Sequence, residues 1–227
     1  MTPRQPSGRG GPPAVATILG RLQKAYGKRP WRTWGDPLDL LIGTILSQNT
    51  NDRNSGAAME RLERAFASWD EAAAAPLWKI AGPIRVAGLH RQKARSIRTI
   101  LGRLREERGR ATLDFLRRWP TDRIKEYLLG LPGVGPKTAA CVLLFSNLRR
   151  PVLPVDTHVH RISRRLGLIG PKTTAEQAHP VLAGMVPPGR VYAFHVLLIH
   201  HGRDVCHARR PDHAACVLSD LCRSSRL

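Results

Sequence analysis

Residues 131–145 read LPGVGPKTAACVLLF. Two glycines flank one apolar residue; Pro136 and Lys137 follow, and then an uncharged apolar stretch. Proline suits the first position of a helix, where its missing N–H would have no partner and its φ is already set. Gly133 and Gly135 allow positive φ and a close approach of the backbone to another molecule. The amides of such a turn, together with the positive end of the next helix dipole, suit an anionic phosphate. With helices predicted on both sides, over 121–129 and 136–147, the stretch reads as a helix–hairpin–helix that holds a nucleic-acid backbone without reading bases. A lone Gly-x-Gly would also fit an ordinary turn between helices. Lys137 sits where the helix dipole and partial burial both disfavour a charged amine, which leaves more neutral amine to act as a nucleophile. On the hairpin alone, a lysine that contacts phosphate is the plainer reading.

The composition supports a polyanionic partner. Lys and Arg number 37 against 17 Asp and Glu, a net charge of +20 in 227 residues. Basic side chains placed on phosphates release counterions, so this imbalance favours nucleic acid. No basic amphipathic helix with an aromatic face argues for a membrane surface. No apolar run approaches a membrane span, and MTPRQPSGRGGPP at the start lacks the apolar core of a signal peptide. Residues 1–13 read instead as a disordered basic arm.

Apolar spacing is helical along most of the chain. Val15, Ile18, Leu19, Leu22 and Tyr26 share one face, and Asp36-Pro37 opens a helix carrying Leu38, Leu41, Ile42, Ile45 and Leu46. Further helices are predicted around 53–67, 91–106, 157–166, 174–184 and 190–201. Residues 107–120 form a longer loop or a short extra helix. No stretch alternates like a strand, and Pro151-Val152-Leu153-Pro154 is too proline-broken for a ladder. The fold class is all-α.

Downstream, PVLPVDTHVHRISRRLGL (151–168) places Asp156 directly before an amphipathic helix. Asp156 reads as an N-cap, and equally as a carboxylate that stabilises positive charge; capping would hold it in place for that role. Cys206, Cys216 and Cys222 crowd the C-terminus, which in a cytosolic protein points to metal ligation rather than disulfides. Cys141, on the apolar face after Lys137, reads as core.

LPGVGPKTA followed by VDTHVHR resembles the endonuclease III family of helix–hairpin–helix DNA glycosylases. LLIGTILSQNTND (40–52), GLHRQKA (88–94) and HGRDVC (201–206) resemble further segments of that family. The resemblance implies a bifunctional enzyme of base excision repair. It would excise oxidised pyrimidines from damaged double-stranded DNA, then cleave the abasic strand by β-elimination. Lys137 matches the family's catalytic lysine and Asp156 its essential aspartate; Gly133 and Gly135 match the hairpin glycines. Asn49 matches the residue that fills the gap left by a flipped base, with Gln48 as its alternative because the local pattern differs, and Leu89 matches a second wedge. Leu89 in the core and 48–51 as a plain polar loop are the structural alternatives.

The family's architecture implies a six-helix domain over 30–149 and an iron–sulfur domain from 14–29 with 150–227, with DNA in a cleft between them. Its cluster loop reads C-x6-C-x2-C-x5-C, and here His213 stands at the second position. Imidazole ligates iron in some iron–sulfur proteins, so the expected cofactor is a [4Fe–4S] cluster on Cys206, His213, Cys216 and Cys222. A zinc site, a lost metal site and Asp212 as ligand are the alternatives. Arg209 and Arg210, inside that loop, suit DNA phosphates. The rival functions are a monofunctional adenine or mismatch-thymine glycosylase, which commonly lacks the hairpin lysine, and a non-catalytic DNA-binding module, which would not need Asp156. A monomer in the cytoplasm, nucleoid-associated in a bacterium, is expected.

Overall fold

Asp36 accepts the Leu38 N–H on Oδ1 at 2.8 Å and Pro37 follows it, so the chain enters a helix where its apolar spacing begins. The computed structural model describes residues 12–225, and the same device recurs through it. Asn51, Ser68, Asp156 and Thr174 each cap a helix with a side-chain oxygen. Among the described residues the result is all-helical, with no strand. In order the α-helices are α1 Val15–Tyr26, α2 Pro37–Ser47, α3 Asp52–Ala65, α4 Trp69–Ala74, α5 Leu77–Ala81, α6 His90–Arg108, α7 Thr121–Leu129, α8 Pro136–Phe145, α9 Thr157–Leu166, α10 Ala175–Met185 and α11 Val191–Asp204. The arm predicted over 1–13 lies outside the described residues, apart from its last two positions. No single helix among the described residues is long and apolar enough to cross a membrane.

The chain divides into two compact units, Arg32–Val152 and Met1–Trp31 with Leu153–Leu227. In the first, α2 and α8 are apolar nearly all round and fill the core, as such helices must. Leu41 and Ile42 of α2 and Val142 to Leu144 of α8 are fully buried. α6 is amphipathic, with Ile97, Ile100, Leu101 and Leu104 inward and Arg91, Arg95 and Arg98 outward. Pro76 and Pro83 break residues 69–87 into α4, α5 and a 3-10 turn at Pro83–Ala87, which explains why no long periodicity marks this segment.

Residues 107–120 resolve into a 3-10 turn at Asp114–Arg118 that closes an aromatic cluster. Phe115, Trp119 and Tyr127 meet edge to face, with the Arg108 and Arg123 guanidinium groups 4.0 Å from the Phe115 and Trp119 rings. In the second unit α1 packs on α11, whose Phe194, Leu197 and Leu198 are fully buried. Gly202 lets α11 press on α9: a Cβ there would lie 2.5 Å from His158 Nδ1.

Glu107 ties α6 to α7. Arg103 Nε donates to it at 2.6 Å and the Tyr127 hydroxyl at 2.7 Å, and the two together hold its carboxyl below the ordinary value of 4.5. A depressed folded pKa contributes stability above the ordinary glutamate range, and that stability is lost as pH falls below 4.5 through the folded value. Glu107→Gln should therefore lower thermal stability at neutral pH by at most about 1 kcal/mol, given how exposed the pair is. The difference from the parent should vanish in acid. Melting curves followed by circular dichroism across that range check both expectations.

Candidate active site

The hairpin between α7 and α8 is built on one glycine. Gly133 has φ +79°, and a Cβ on it would come within 3.0 Å of Ser96 Oγ on α6. Gly135 does not take positive φ: at φ −97° and ψ 179° it is extended, and nothing lies within 4 Å of where its Cβ would be. The two glycines thus do different work. Gly133 makes the turn, and Gly135 leaves open space over the start of α8. The first intrahelical bond there runs from Ala139 N–H to Gly135 C=O, so the amides of Lys137 and Thr138 precede it. Lys137, the second residue of α8, is half-buried, and no hydrogen bond or ion pair among the described residues engages its amine.

Two loops of the same unit carry the expected wedge residues. Gln48 Nε2 donates to Gly133 C=O at 2.9 Å and approaches Thr138 Oγ1 at 3.4 Å, so its side chain is spent on the hairpin. Asn49 is exposed and held at φ +52°, with its side chain unengaged among the described residues. Leu89 is not core. It is 53% exposed, stands at the N-terminal end of α6 and also has positive φ, +47°. Beneath both loops lies Lys93, which sequence reading passed over although it falls within GLHRQKA. It is 3% exposed and donates to two backbone carbonyls.

In the other unit Asp156 caps α9 through Oδ1 and the Val159 N–H at 2.8 Å. That leaves Oδ2 for other work. The same helix supplies two arginines to the cysteine segment. Arg161 Nε donates to Cys206 C=O at 3.0 Å, and Arg165 Nη1 donates to Cys206 Sγ at 3.0 Å. Arg165 also holds the His207 and Ala208 carbonyls. Burial, with the neighbouring thiols adding to it, pushes the Cys216 and Cys222 thiols up.

None of the three C-terminal cysteines is in a disulfide; they are shielded to different degrees and lie within electrostatic reach of one another. No three His, Cys, Asp or Glu side chains among the described residues stand together at metal-ligating distance. The donor set nevertheless suits a thiolate-rich cluster, with an Arg N–H already aimed at one sulfur. His213, half-buried, shares a turn with Cys216, whose N–H donates to its carbonyl at 3.3 Å, and its imidazole makes no hydrogen bond among the described residues. Asp212 is occupied, capping the Ala215 N–H at 3.0 Å.

A second histidine was not singled out from the sequence. His201, buried in α11, has Nε2 3.5 Å from Cys216 Sγ and Nδ1 2.9 Å from the Tyr26 hydroxyl. Burial pushes it down to about 4. Its signal was its place at the head of HGRDVC. Arg209 and Arg210 are exposed, with Arg210 at φ +53°.

Comparison with known proteins agrees with this layout. Residues 42–188 match the HhH-GPD superfamily base excision DNA repair protein model, and residues 206–222 match the iron–sulfur binding domain of endonuclease III. Endonuclease III of Thermotoga maritima is 35% identical over 191 residues, covering 84% of this chain and 84% of that protein. A relative from Arabidopsis thaliana, named as a DNA glycosylase, is 39% identical over 166 residues; the match covers 73% of this chain and 56% of that protein. Among solved structures, a trapped endonuclease III–DNA covalent intermediate superposes with a TM-score of 0.78 at 29% identity, covering 92% of this chain and 94% of that one. Matches that span most of both chains, and a cluster-binding segment at the expected cysteines, lead to one assignment: the chain belongs to the HhH-GPD superfamily of base excision DNA repair proteins, as a member of the endonuclease III family.

Proposed function

We propose that this DNA glycosylase and abasic-site lyase excises oxidised pyrimidines from duplex DNA through Lys137. The observation that carries the reading is the half-buried Lys137 at the start of α8, whose amine has no hydrogen bond or ion pair among the described residues, next to a hairpin whose amides suit phosphate. The neutral amine attacks C1′ of the damaged nucleotide; the bond to the base breaks and the base leaves with a proton. The nitrogen lone pair then breaks the C1′–O4′ bond, O4′ takes a proton from solvent, and the ring-opened product is a protonated Schiff base between Nζ and C1′. Loss of a C2′ proton then expels the 3′ phosphate by breaking the C3′–O bond, which nicks the strand. Asp156, held by its cap, stabilises the positive charge that develops at the sugar. The covalent intermediate trapped with a structural neighbour supports the same chemistry here.

Binding follows from the basic surface. Gly133 and Gly135 present the hairpin amides to one phosphate, and Arg209 and Arg210 reach others. Asn49 and Leu89 fill the gap left by the extruded nucleotide, while Gln48 holds its loop to the hairpin. The protein acts as a monomer on DNA in the cytoplasm, at the nucleoid in a bacterial cell. Cys206, Cys216 and Cys222 with His213 would hold the [4Fe–4S] cluster, which when bound supplies a redox centre and fixes the loop that carries the two arginines.

Lys137→Gln should abolish base excision and strand cleavage while DNA binding persists, since the hairpin amides remain. Borohydride trapping on abasic duplex checks this: covalent complex formed by the variant at the parent's level would remove Lys137 as nucleophile.

Asp156→Asn should separate cap from charge. Asn caps a helix about as well as Asp, where loss of the cap altogether costs roughly 0.5–2 kcal/mol. Glycosylase turnover should therefore collapse while the melting temperature barely moves. Parental turnover on an oxidised-pyrimidine duplex would leave only the cap.

His213→Ala should yield protein with reduced and labile iron, and His213→Cys should restore or raise it. Iron content after anaerobic purification is the measurement. Equal iron in all three proteins would exclude His213 as a ligand, and zinc in place of iron would exclude the cluster.

A further inference from the structure

Lys93 is buried, and no carboxylate among the described residues pairs with it. It stands one turn into α6, and its Nζ donates to Leu46 C=O and to Ala87 C=O, each at 2.8 Å. Leu46 lies in the last turn of α2, and Ala87 ends the 3-10 turn Pro83–Ala87. Carbonyls at such ends have run out of intrahelical donors, and the helix dipole favours a cation there. The backbone N–H of the same residue donates to Leu89 C=O at 3.0 Å. One residue therefore holds carbonyls on two chain segments, one leading into Asn49 and the other into Leu89.

Both of those residues keep left-handed backbone, at φ +52° and +47°. For a non-glycine residue such a conformation persists only where the surroundings over-determine it. On the far side, Gln48 fastens the first loop to Gly133. Burial lowers the Lys93 amine from its ordinary range, an energetic cost that the two carbonyl bonds offset. A lysine needed only for solubility would lie outward, as its helix neighbours Arg91 and Arg95 do.

We propose that Lys93 is a positioning residue that fixes the spacing of the two DNA-entering loops, so that Asn49 and Leu89 reach the duplex together. This rests on reading those two side chains as the ones that enter the base stack. Prising a nucleotide from the stack needs both wedges at once, because the gap collapses if either arrives displaced. Lys93 touches neither DNA nor the reacting atoms. It acts through the carbonyls it holds.

The test uses a duplex carrying a tetrahydrofuran abasic analogue, which cannot form a Schiff base, with 2-aminopurine opposite it. The readout is unstacking, so it does not depend on Lys137. Parent protein should brighten the 2-aminopurine on binding. Lys93→Met, which keeps the length and loses the donors, should brighten it about tenfold more slowly, the factor that corresponds to about 1.4 kcal/mol in the barrier. Its affinity for the same analogue in an unpaired bubble, where no stack must be opened, should change far less. Leu89→Ala should show the same duplex-selective defect, and the double variant should be no slower than the worse single one. Lys93→Gln, which keeps an amide donor, should fall between and serves if the Met variant does not fold.

Equal losses on duplex and bubble would mean that Lys93 only stabilises the fold, and parental brightening in either Lys93 variant would end the proposal. A parent that brightens but forms no borohydride complex on a true abasic site would refute the Lys137 chemistry and leave this inference standing.

Discussion

A side chain at Gly133 would be both strained and crowded, and the end of its unit that carries Lys137 is arranged around that fact. Its φ of +79° is strained for any L-residue, and the space its Cβ would need is already taken by Ser96. The turn rests against Ser96 of α6 at that point. Its carbonyl receives Gln48, which pins the end of α2 to the same point. From this junction α8 starts in a fixed direction, with its first amides and Lys137 at the open end. Gly135, needed for no turn of its own, leaves that end uncovered.

Charge is distributed on a consistent principle. The buried polar groups Lys93, His195 and His201 each have a partner within the same unit: backbone carbonyls for the first two, a tyrosine hydroxyl for the third. Most of the arginines face solvent. An excess of +20 opposes folding through self-repulsion and is relieved when a polyanion binds, so the same charge that strains the free protein favours its complex with DNA. The few acids take local duties. Asp36 and Asp156 cap helices, Glu107 joins α6 to α7, and Asp220 pairs with Arg21 so that α1 is tied to the C-terminal segment.

That last pairing shows why one unit needs both chain ends. The cysteine segment has little regular structure of its own; α1 braces it through Arg21, α9 through Arg161 and Arg165, and α11 through His201. These donors hold the Cys206, His207 and Ala208 carbonyls and approach the sulfurs of Cys206 and Cys216. A segment so dependent on its surroundings gains most from a further cross-link, and the cluster-binding match at residues 206–222 falls on it.

The sequence alone determined the all-α class, the helix starts at Asp36 and Asp156, the hairpin ahead of Lys137 and the family. These rest on local signals: caps, prolines, glycines and apolar spacing act within a few residues. It left residues 69–87 unread, because two prolines cut the periodicity into pieces too short to register. Tertiary structure alone decided that Gln48 is bonded to the hairpin while Asn49 is exposed, and that His201 lies beside Cys216. It also reversed the usual expectation at two places. Leu89, an apolar residue, is exposed, and Lys93, a charged one, is buried. Each outcome depends on chain far away in sequence: Lys93 finds Leu46 47 residues back, and Gln48 finds Gly133 85 residues on. Local pattern records which residues can be buried; only the packed chain decides which of them are, because it alone supplies the distant partner that makes burial affordable.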